Sequence, residues 1–345
     1  MRTFSFALVG IGNIGSRFLE LVTEKQQALR QRYGLGLTLA VAVDSKGAAW
    51  SDSGLDMKQV VGLKADGRSV AAYPDHGAPG LTALEALDRL GADLLIELSP
   101  TNLEHGEPGL SAIAWALQHE MDVVTANKGP LVLDYQRLAA LAVDQGQSLL
   151  FSGAVAGGLP TVNIGRRDLA GAQVLRVEGV FNSTTNYILL RMQEDGLSFE
   201  EALAEAQHAG VAEADPSLDI DGWDAANKLV IVANSVLGMP ATLKDVSVQG
   251  IRGIQRDDLL RAKKRGQALK LLATAEPSGM AYKLAVRPTE VPLEHPLAGL
   301  SRWEMGVVYT TDIMGVITAI IADEGTTATA GAVLRDVINT LTARP

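Results

Sequence analysis

Short apolar runs alternate with helically periodic stretches over the first 150 residues of the chain. Phe4 to Val9 form an apolar strand that runs straight into Gly10-x-Gly12-x-x-Gly15. Phe18, Leu19 and Val22 then share one face of a helix over Ser16–Tyr33, which Gly34 ends. Leu37–Val43 is a second apolar strand, closed by Asp44. Ser45 to Gly80 is polar and glycine-rich with little periodicity, which predicts loops around one short helix. The alternation then resumes with helix Leu84–Leu90, strand Leu94–Leu98, helix Leu110–His119, strand Val123–Thr125, helix Leu131–Gln145 and strand Leu149–Phe151. Such an order builds an α/β fold around a parallel, doubly wound sheet, with its ligand at the C-terminal strand ends.

The pattern changes after Gly153-Ala-Val-Ala-Gly-Gly-Leu-Pro160. Val174–Phe181 reads as a strand, and Leu189–Gln193, Phe199–Ala209 and Ala225–Val236 as helices. Strands return at Tyr282–Arg287 and within Gly306–Ile321, before a last helix over Thr327–Leu341. Helices and strands without strict alternation predict an α+β second domain. A length of 345 residues also suits two cores better than one. The expected division is residues 1–150, completed by 326–345, and residues 151–325.

Composition narrows the function. A formal charge of −10 disfavours a nucleic-acid partner, which requires a basic face. The one dense basic run, Arg261-Ala-Lys-Lys-Arg265, reads as a solvated helix face. No cysteine is present, which excludes disulfides, thiolate catalysis and cysteine-ligated metal. The apolar stretches around Leu229–Val236 and Ile313–Ile321 are too short or interrupted to span a membrane. A strand begins within a few residues of the N-terminus, so no signal peptide is expected, and the expectation is a soluble cytoplasmic protein.

Three places carry candidate chemistry. The first is the turn Gly10, Ile11, Gly12, Asn13, Ile14 and Gly15, flanked by strand and helix as a dinucleotide pyrophosphate requires. Asp44 lies beyond the usual distance of roughly 20 residues from such a turn, a surplus that a long first helix absorbs. Its carboxylate can accept both ribose hydroxyls of NAD, while Lys46 can admit NADP; the cofactor is NAD(P) with the choice open. A solvated turn acid is the plainer reading of Asp44.

The second place is two strand ends, Ser99-Pro-Thr101 and Thr125-Ala-Asn127-Lys128, where a nicotinamide and substrate would lie. Lys128, between Asn127 and Gly129, is expected outside a helix, so that its amine can point into a crevice. The third is Glu213, Asp215, Asp219, Asp221 and Asp224, crowded into one segment ahead of Lys228. Asp224 and Lys228 stand four apart on one helical face, the spacing of an ordinary ion pair. Acids this dense call for a cation among them, either Lys228 or an ammonium-bearing ligand. A desolvated lysine there can serve in proton transfer.

At these residues the chain resembles the homoserine dehydrogenases over nearly its whole length. The glycine turn, Thr125-Ala-Asn-Lys128, Phe181-Asn-Ser-Thr-Thr-Asn-Tyr-Ile-Leu189, and Ala206-Gln-x-x-Gly-x-Ala-Glu213-Ala-Asp-Pro216 through Asp219, Asp224 and Lys228 carry the likeness. The resemblance implies a Rossmann domain, then a substrate and dimerisation domain, and a homodimer. It also implies NAD(P)-linked interconversion of L-homoserine and L-aspartate 4-semialdehyde, on the route from aspartate to threonine and methionine. On the same basis Lys128 and Lys228 are the catalytic lysines. Glu213 and Asp224 hold the substrate with Asp219 beside them, and Thr184 lines the pocket.

The chain also departs from that family. Phe151-Ser152 stands where Tyr-Glu is common, and that glutamate helps hold a monovalent cation in relatives, so no metal is expected here. Val211 replaces a tyrosine, Asp323-Glu-Gly-Thr-Thr-Ala328 replaces a Gly-Pro-Gly-Ala-Gly loop, and Tyr309-Thr-Thr-Asp312 differs from the commonest pattern. No regulatory module is expected after the last helix. Two rival readings share parts of the pattern. An aspartate-dehydrogenase-like enzyme has no need of two lysines with Glu213, Asp219 and Asp224. A non-catalytic nucleotide sensor is favoured by Ser152 and Val211 and disfavoured by both lysines. His76, His105, His119, His208 and His295 are scattered without metal-ligand spacing, and Ser152-Gly-Ala is no nucleophile elbow. Trp115, Trp223 and Trp303 are expected in cores.

Overall fold

The computed structural model describes residues 2–279, 281–323 and 325–343. It divides into two units, residues 1–158 with 325–345, and residues 159–324. Arg344 and Pro345, at the end of the expected 326–345 segment, and Glu324, in the replaced loop, lie outside the described residues, as do Met1 and Met280.

The first unit is built on β1 (Arg2–Val9), β2 (Leu35–Asp44), β3 (Gly47–Trp50), β4 (Gly77–Pro79), β5 (Leu94–Glu97), β6 (Asp122–Thr125) and β7 (Leu149–Leu150). Their order across the sheet is β4-β3-β2-β1-β5-β6-β7. β1 runs parallel to β2 and β5, and β6 and β7 continue the parallel set. The chain therefore winds outward from β1 in both directions, leaving a crevice at the C-terminal ends of β1 and β5. The sheet is not wholly parallel, because β3 and β4 join as an antiparallel edge. They lie in the stretch expected to be loops. Ala48 and Ala49 are fully buried, yet strands this short in small residues leave no alternating pattern to read.

Helices α1 (Asn13–Tyr33), α2 (Met57–Ala65), α3 (Ala83–Arg89), α4 (Gly109–Gln118), α5 (Lys128–Gln145) and α12 (Thr327–Ala343) belong to this unit. Phe6, Leu8, Phe18, Leu19, Ile96, Val333 and Val337 share one buried core, so the last helix packs with the first strands. Lys128 is helical, contrary to expectation: Asn127 caps α5 by accepting the Gly129 N–H at 3.0 Å, and Lys128 is the first helical residue. The helix breaks at Asp134 (φ −149°), so Lys128 to Leu133 form a short segment ahead of the longer one that runs on to Gln145.

The second unit holds a sheet ordered β13-β12-β8-β10-β11-β9. Its strands are β8 (Val174–Val180), β9 (Val246–Val248), β10 (Gln267–Ser278), β11 (Ala281–Pro292), β12 (Glu304–Thr311) and β13 (Val316–Ala322). β10 and β11 pair along twelve positions, and β10 was not anticipated because its buried run Ala268–Ala275 includes Lys270. The helices are the single turn α6 (Thr161–Asn163), then α7 (Ser183–Glu194), α8 (Phe199–His208), α9 (Ser217–Ile220), α10 (Trp223–Ser235) and α11 (Arg256–Lys264). α10 is buried nearly all round, from Asp224 and Ala225 to Asn234. Trp223 is 42% exposed at its start, not in a core, because its side chain turns outward between the buried Gly222 and Asp224. Trp115 stacks on His119 at 3.8 Å and Trp303 tilts against Tyr187.

Candidate active site

Each glycine of the first turn has its own physical reason. Gly10 has φ +94°, and a Cβ there would sit 2.3 Å from the backbone of Leu98 and Ser99. Gly15 presses on Gly10, whose carbonyl oxygen would lie 2.3 Å from an added Cβ. Nothing lies within 4 Å of the Gly12 position. Gly12 caps α1 with no side-chain bond, and no acid occupies the first turn. Backbone N–H groups there can take an anion unopposed. Ile11 is buried behind the turn, Ile14 is half-buried and Asn13 is exposed.

A cavity of about 480 Å³ opens beside this turn, walled by Gly10, Asp44, Lys46, Ser99, Thr101 and Pro108 among others. Turn, cavity and open Gly12 fit a dinucleotide. Asp44 is at the cavity, but its carboxylate is already engaged. It accepts Lys64 Nζ at 2.7 Å, Ser69 Oγ at 2.8 Å, the Val70 N–H at 3.0 Å and the Lys46 N–H at 2.9 Å. Burial pushes this carboxyl up, but Lys64 and the other donors outweigh it and hold it below the usual range. Sequence reasoning placed Lys46 near Asp44 and missed Lys64, which α2 brings from twenty residues away.

At the ends of β5 and β6 the structure joins Ser99, Thr125 and Asn127 around a residue the sequence reading overlooked, Glu97. Glu97 is completely buried (0%). It accepts the Ser99 N–H at 2.9 Å, the Ser99 hydroxyl, and the Thr125 hydroxyl at 3.0 Å. Thr101 is exposed at the cavity edge and Lys128 is half-buried. An acid ending an apolar strand, as Asp44 also does, was the available signal.

In the second unit the acidic segment sorts itself into two groups. Lys228 Nζ donates to Asp224 Oδ2 at 2.6 Å and to the Phe181 carbonyl at 2.6 Å. Asn182 Nδ2 donates to Asp219 Oδ1 at 2.7 Å and to Asp224 Oδ2 at 2.9 Å. The same Asn182 caps α7 through the Thr185 N–H at 2.9 Å, so one side chain both starts the helix and bridges the acids. Burial raises the Asp219 carboxyl and the Asp224 charge raises it further, against Thr184, Asn182 and Lys228. Thr184 Oγ1 also donates to the Val211 carbonyl at 3.0 Å. Asp221 pairs instead with Arg252, a cation the sequence reading did not consider, and Asp215 accepts the Ser217 N–H at 3.1 Å. Glu213 is exposed and its carbonyl accepts Gln207; its side chain is not drawn into the Asp219–Asp224–Lys228 group.

The Ser152 turn is filled from within. Its N–H and hydroxyl each donate at 2.7 Å to Asp336, which is fully buried on α12. Arg335 donates to Ser152 Oγ at 2.9 Å and to the Gly158 carbonyl at 3.3 Å. A guanidinium on these oxygens does not fit a metal cation at the same turn. Among the described residues no group of three or more histidines and carboxylates is arranged to hold a metal. No helix among them is long and apolar enough to cross a membrane.

Two family models account for most of the chain. One, described as homoserine dehydrogenase, NAD binding domain, matches residues 10–152; the other, described as homoserine dehydrogenase, matches residues 160–338. The chain belongs to the homoserine dehydrogenase family. It is 36% identical over 332 residues to a homoserine dehydrogenase of Methanocaldococcus jannaschii, covering 96% of this chain and 97% of that relative. It is 34% identical over 342 residues to an NAD(+)-dependent homoserine dehydrogenase of Pseudomonas canavaninivorans, covering 98% and 96%. Among solved structures, a homoserine dehydrogenase from Thiobacillus denitrificans superposes with TM-score 0.85 at 28% identity, over all of this chain and 75% of that one. A hyperthermophilic archaeal homoserine dehydrogenase mutant in complex with NADPH gives TM-score 0.85 at 25% identity, over 100% and 99%. Family membership makes the chain an NAD(P)-dependent oxidoreductase and sets aside both rival readings.

Proposed function

We propose that this homoserine dehydrogenase interconverts L-homoserine and L-aspartate 4-semialdehyde, and that it serves threonine and methionine formation in the cytoplasm. The observation that carries the substrate reading is the Asp219–Asp224–Lys228 group held by Asn182. Two carboxylates, Asp224 buried and Asp219 half-buried, gather beside one ammonium. Such an acidic lining suits the α-ammonium of an amino-acid substrate. Glu213, exposed on the segment ahead of Asp219, is a third carboxylate for the same ammonium in this reading, and Thr184 lines the pocket beside Asp219.

The first unit, residues 1–158 with 325–345, takes the dinucleotide; the second takes the amino acid and the partner subunit. Gly10, Ile11, Gly12, Asn13, Ile14 and Gly15 receive the pyrophosphate, Asp44 the adenosine ribose, and Ser99, Thr101, Asn127 and Lys128 the nicotinamide side. When bound, NAD(P) supplies the hydride acceptor or donor. In the reducing direction an ammonium already carries the proton that the new hydroxyl needs. Lys228 Nζ, fixed by the Asp224 carboxylate and the Phe181 carbonyl, delivers it, with Lys128 as the second catalytic lysine.

A homodimer is supported by β13, an edge strand whose outward side chains include Val316 at 62% and Ile320 at 46% exposure. An uncovered apolar edge is a liability that a second copy removes. The deciding test is reduced-nicotinamide absorbance with purified protein, L-homoserine and either NAD or NADP. Cofactor reduction establishes the reaction and names the preferred cofactor. No signal in either direction, with the semialdehyde also supplied, overturns the reading.

A further inference from the structure

Glu97 has no role in the reaction as just assigned, yet it is the most deeply buried acid at the C-terminal edge of the first sheet (0% exposed). Its Oε1 takes the Ser99 N–H and hydroxyl, and its Oε2 takes the Thr125 hydroxyl at 3.0 Å. The Asn127 amide reaches Oε1 at 3.5 Å and Ser99 Oγ at 3.3 Å. These groups donate to both carboxyl oxygens, and burial raises the carboxyl while the Ser99, Thr125 and Asn127 bonds oppose that rise. An amide in its place accepts at one oxygen only, so at least one of these bonds must be remade.

The surroundings leave no slack. A Cβ added at Gly109, the first residue of α4, would lie 3.0 Å from Glu97 Cδ and 2.7 Å from Asn127 Nδ2. The bonds continue outward on both sides. Ser99 leads into Pro100 and Thr101 on the cavity wall. Thr125 Oγ1 accepts the Asn127 N–H at 3.0 Å, and Asn127 Oδ1 accepts the Gly129 N–H at 3.0 Å. Lys128 sits between those two anchored residues.

We propose that Glu97 is a positioning residue for the nicotinamide side of the site, tying the loop after β5 to the loop after β6 and thereby fixing the Ser99 wall and the direction of Lys128. The proposal rests on the cofactor reading above. A carboxylate hidden behind reacting groups aligns them much as the outer partners of metal ligands do, where loss costs roughly 10- to 100-fold.

The test compares Glu97→Gln with Ser99→Ala and Thr125→Val, each of which removes one donor. Three quantities are read: cofactor Kd from tryptophan fluorescence, kcat with homoserine, and amide exchange at residues 98–102 and 127–129 in the cofactor-free protein. For Glu97→Gln the Kd is expected to rise about tenfold, kcat to fall between about ten- and a hundredfold, and exchange at both loops to quicken. The single-donor variants should move the same quantities less, in the same direction. A Glu97→Gln protein that melts earlier but keeps wild-type Kd, kcat and loop exchange makes Glu97 a packing residue and overturns the proposal. If that variant does not fold, unchanged Kd and kcat in both single-donor variants overturn it equally. Wild-type protein that neither binds NAD(P) nor oxidises homoserine refutes the functional reading instead, and the exchange data still report on Glu97.

Discussion

Removing the Lys228 amine tests whether it is a proton carrier as well as a counter-charge. Its side chain and that of Asp224 are each only 11% exposed, and the two are 2.6 Å apart. Lys228→Ala removes the ammonium from beside the Asp224 and Asp219 carboxylates, which Asn182 bridges, and strips the Phe181 carbonyl of its donor. Breaking a buried pair by deleting one partner costs about 3–5 kcal/mol, because the remaining charge is uncompensated. The stranded acids have an escape, since either can take up a proton. Asp219 is already raised by burial and by Asp224, so the deficit should shrink as pH falls, by about 1.4 kcal/mol per unit while one proton is taken up. Turnover should fall by roughly 10²–10⁴, the usual worth of a positioned acid or base. Urea unfolding followed by tryptophan fluorescence reads the first effect, and initial rates of cofactor reduction the second.

Methylamine separates the two roles. The truncation opens a hole lined by Asp224 and the Phe181 carbonyl that fits a small ammonium ion. If the lysine moves the proton, added methylamine should restore rate as well as stability. Stability rescued without rate would make Lys228 a counter-charge alone. A variant as stable as wild type from pH 5 to 8, within about 0.5 kcal/mol, would refute the electrostatic account altogether.

Four further outcomes follow from other parts of the molecule. Burial lowers Lys270, against the pull of Glu194 and Glu304, to about 8. The folded state thus binds fewer protons than the unfolded one between pH 8 and 10.5, and stability should rise with pH across that window; relative to Lys270→Met, wild type should gain about 3 kcal/mol there, and a flat difference would refute the burial argument. Asp44→Ala frees Lys64 beside the ribose position and should shift the NAD-to-NADP Kd ratio at least about tenfold toward NADP; an unchanged ratio in fluorescence titrations would make the Asp44–Lys64 knot purely structural. With Arg335 on the Ser152 turn, replacing sodium and potassium by tetramethylammonium should leave turnover within about twofold, and several-fold activation by an alkali ion would contradict that reading. Ile320→Lys places a charge on the exposed face of β13 and should yield monomers by light scattering; wild type that is itself monomeric removes the dimer proposal.

The residues that could be read in advance and those that could not differ in where their partners come from. Gly10, Gly12 and Gly15 are local: the strand before them and the helix after them sit beside them in the chain, so sequence context suffices. Asp224 and Lys228 are local too, one helical turn apart. Asn182, Lys64, Glu97 and Asp336 act across 42, 20, 28 and 184 residues respectively. Nothing beside them in sequence announces those partners. The electrostatic rule that dense acids need a cation was sound, yet it could not divide the acids between Lys228 and Arg252, because that depends on which way α9 and α10 turn Asp221 away from Asp224. Glu97 shows the same limit from the other side. An acid closing an apolar strand announces a polar function, and only the fold reveals whether it faces the cavity, as Asp44 does, or lies behind the groups that do.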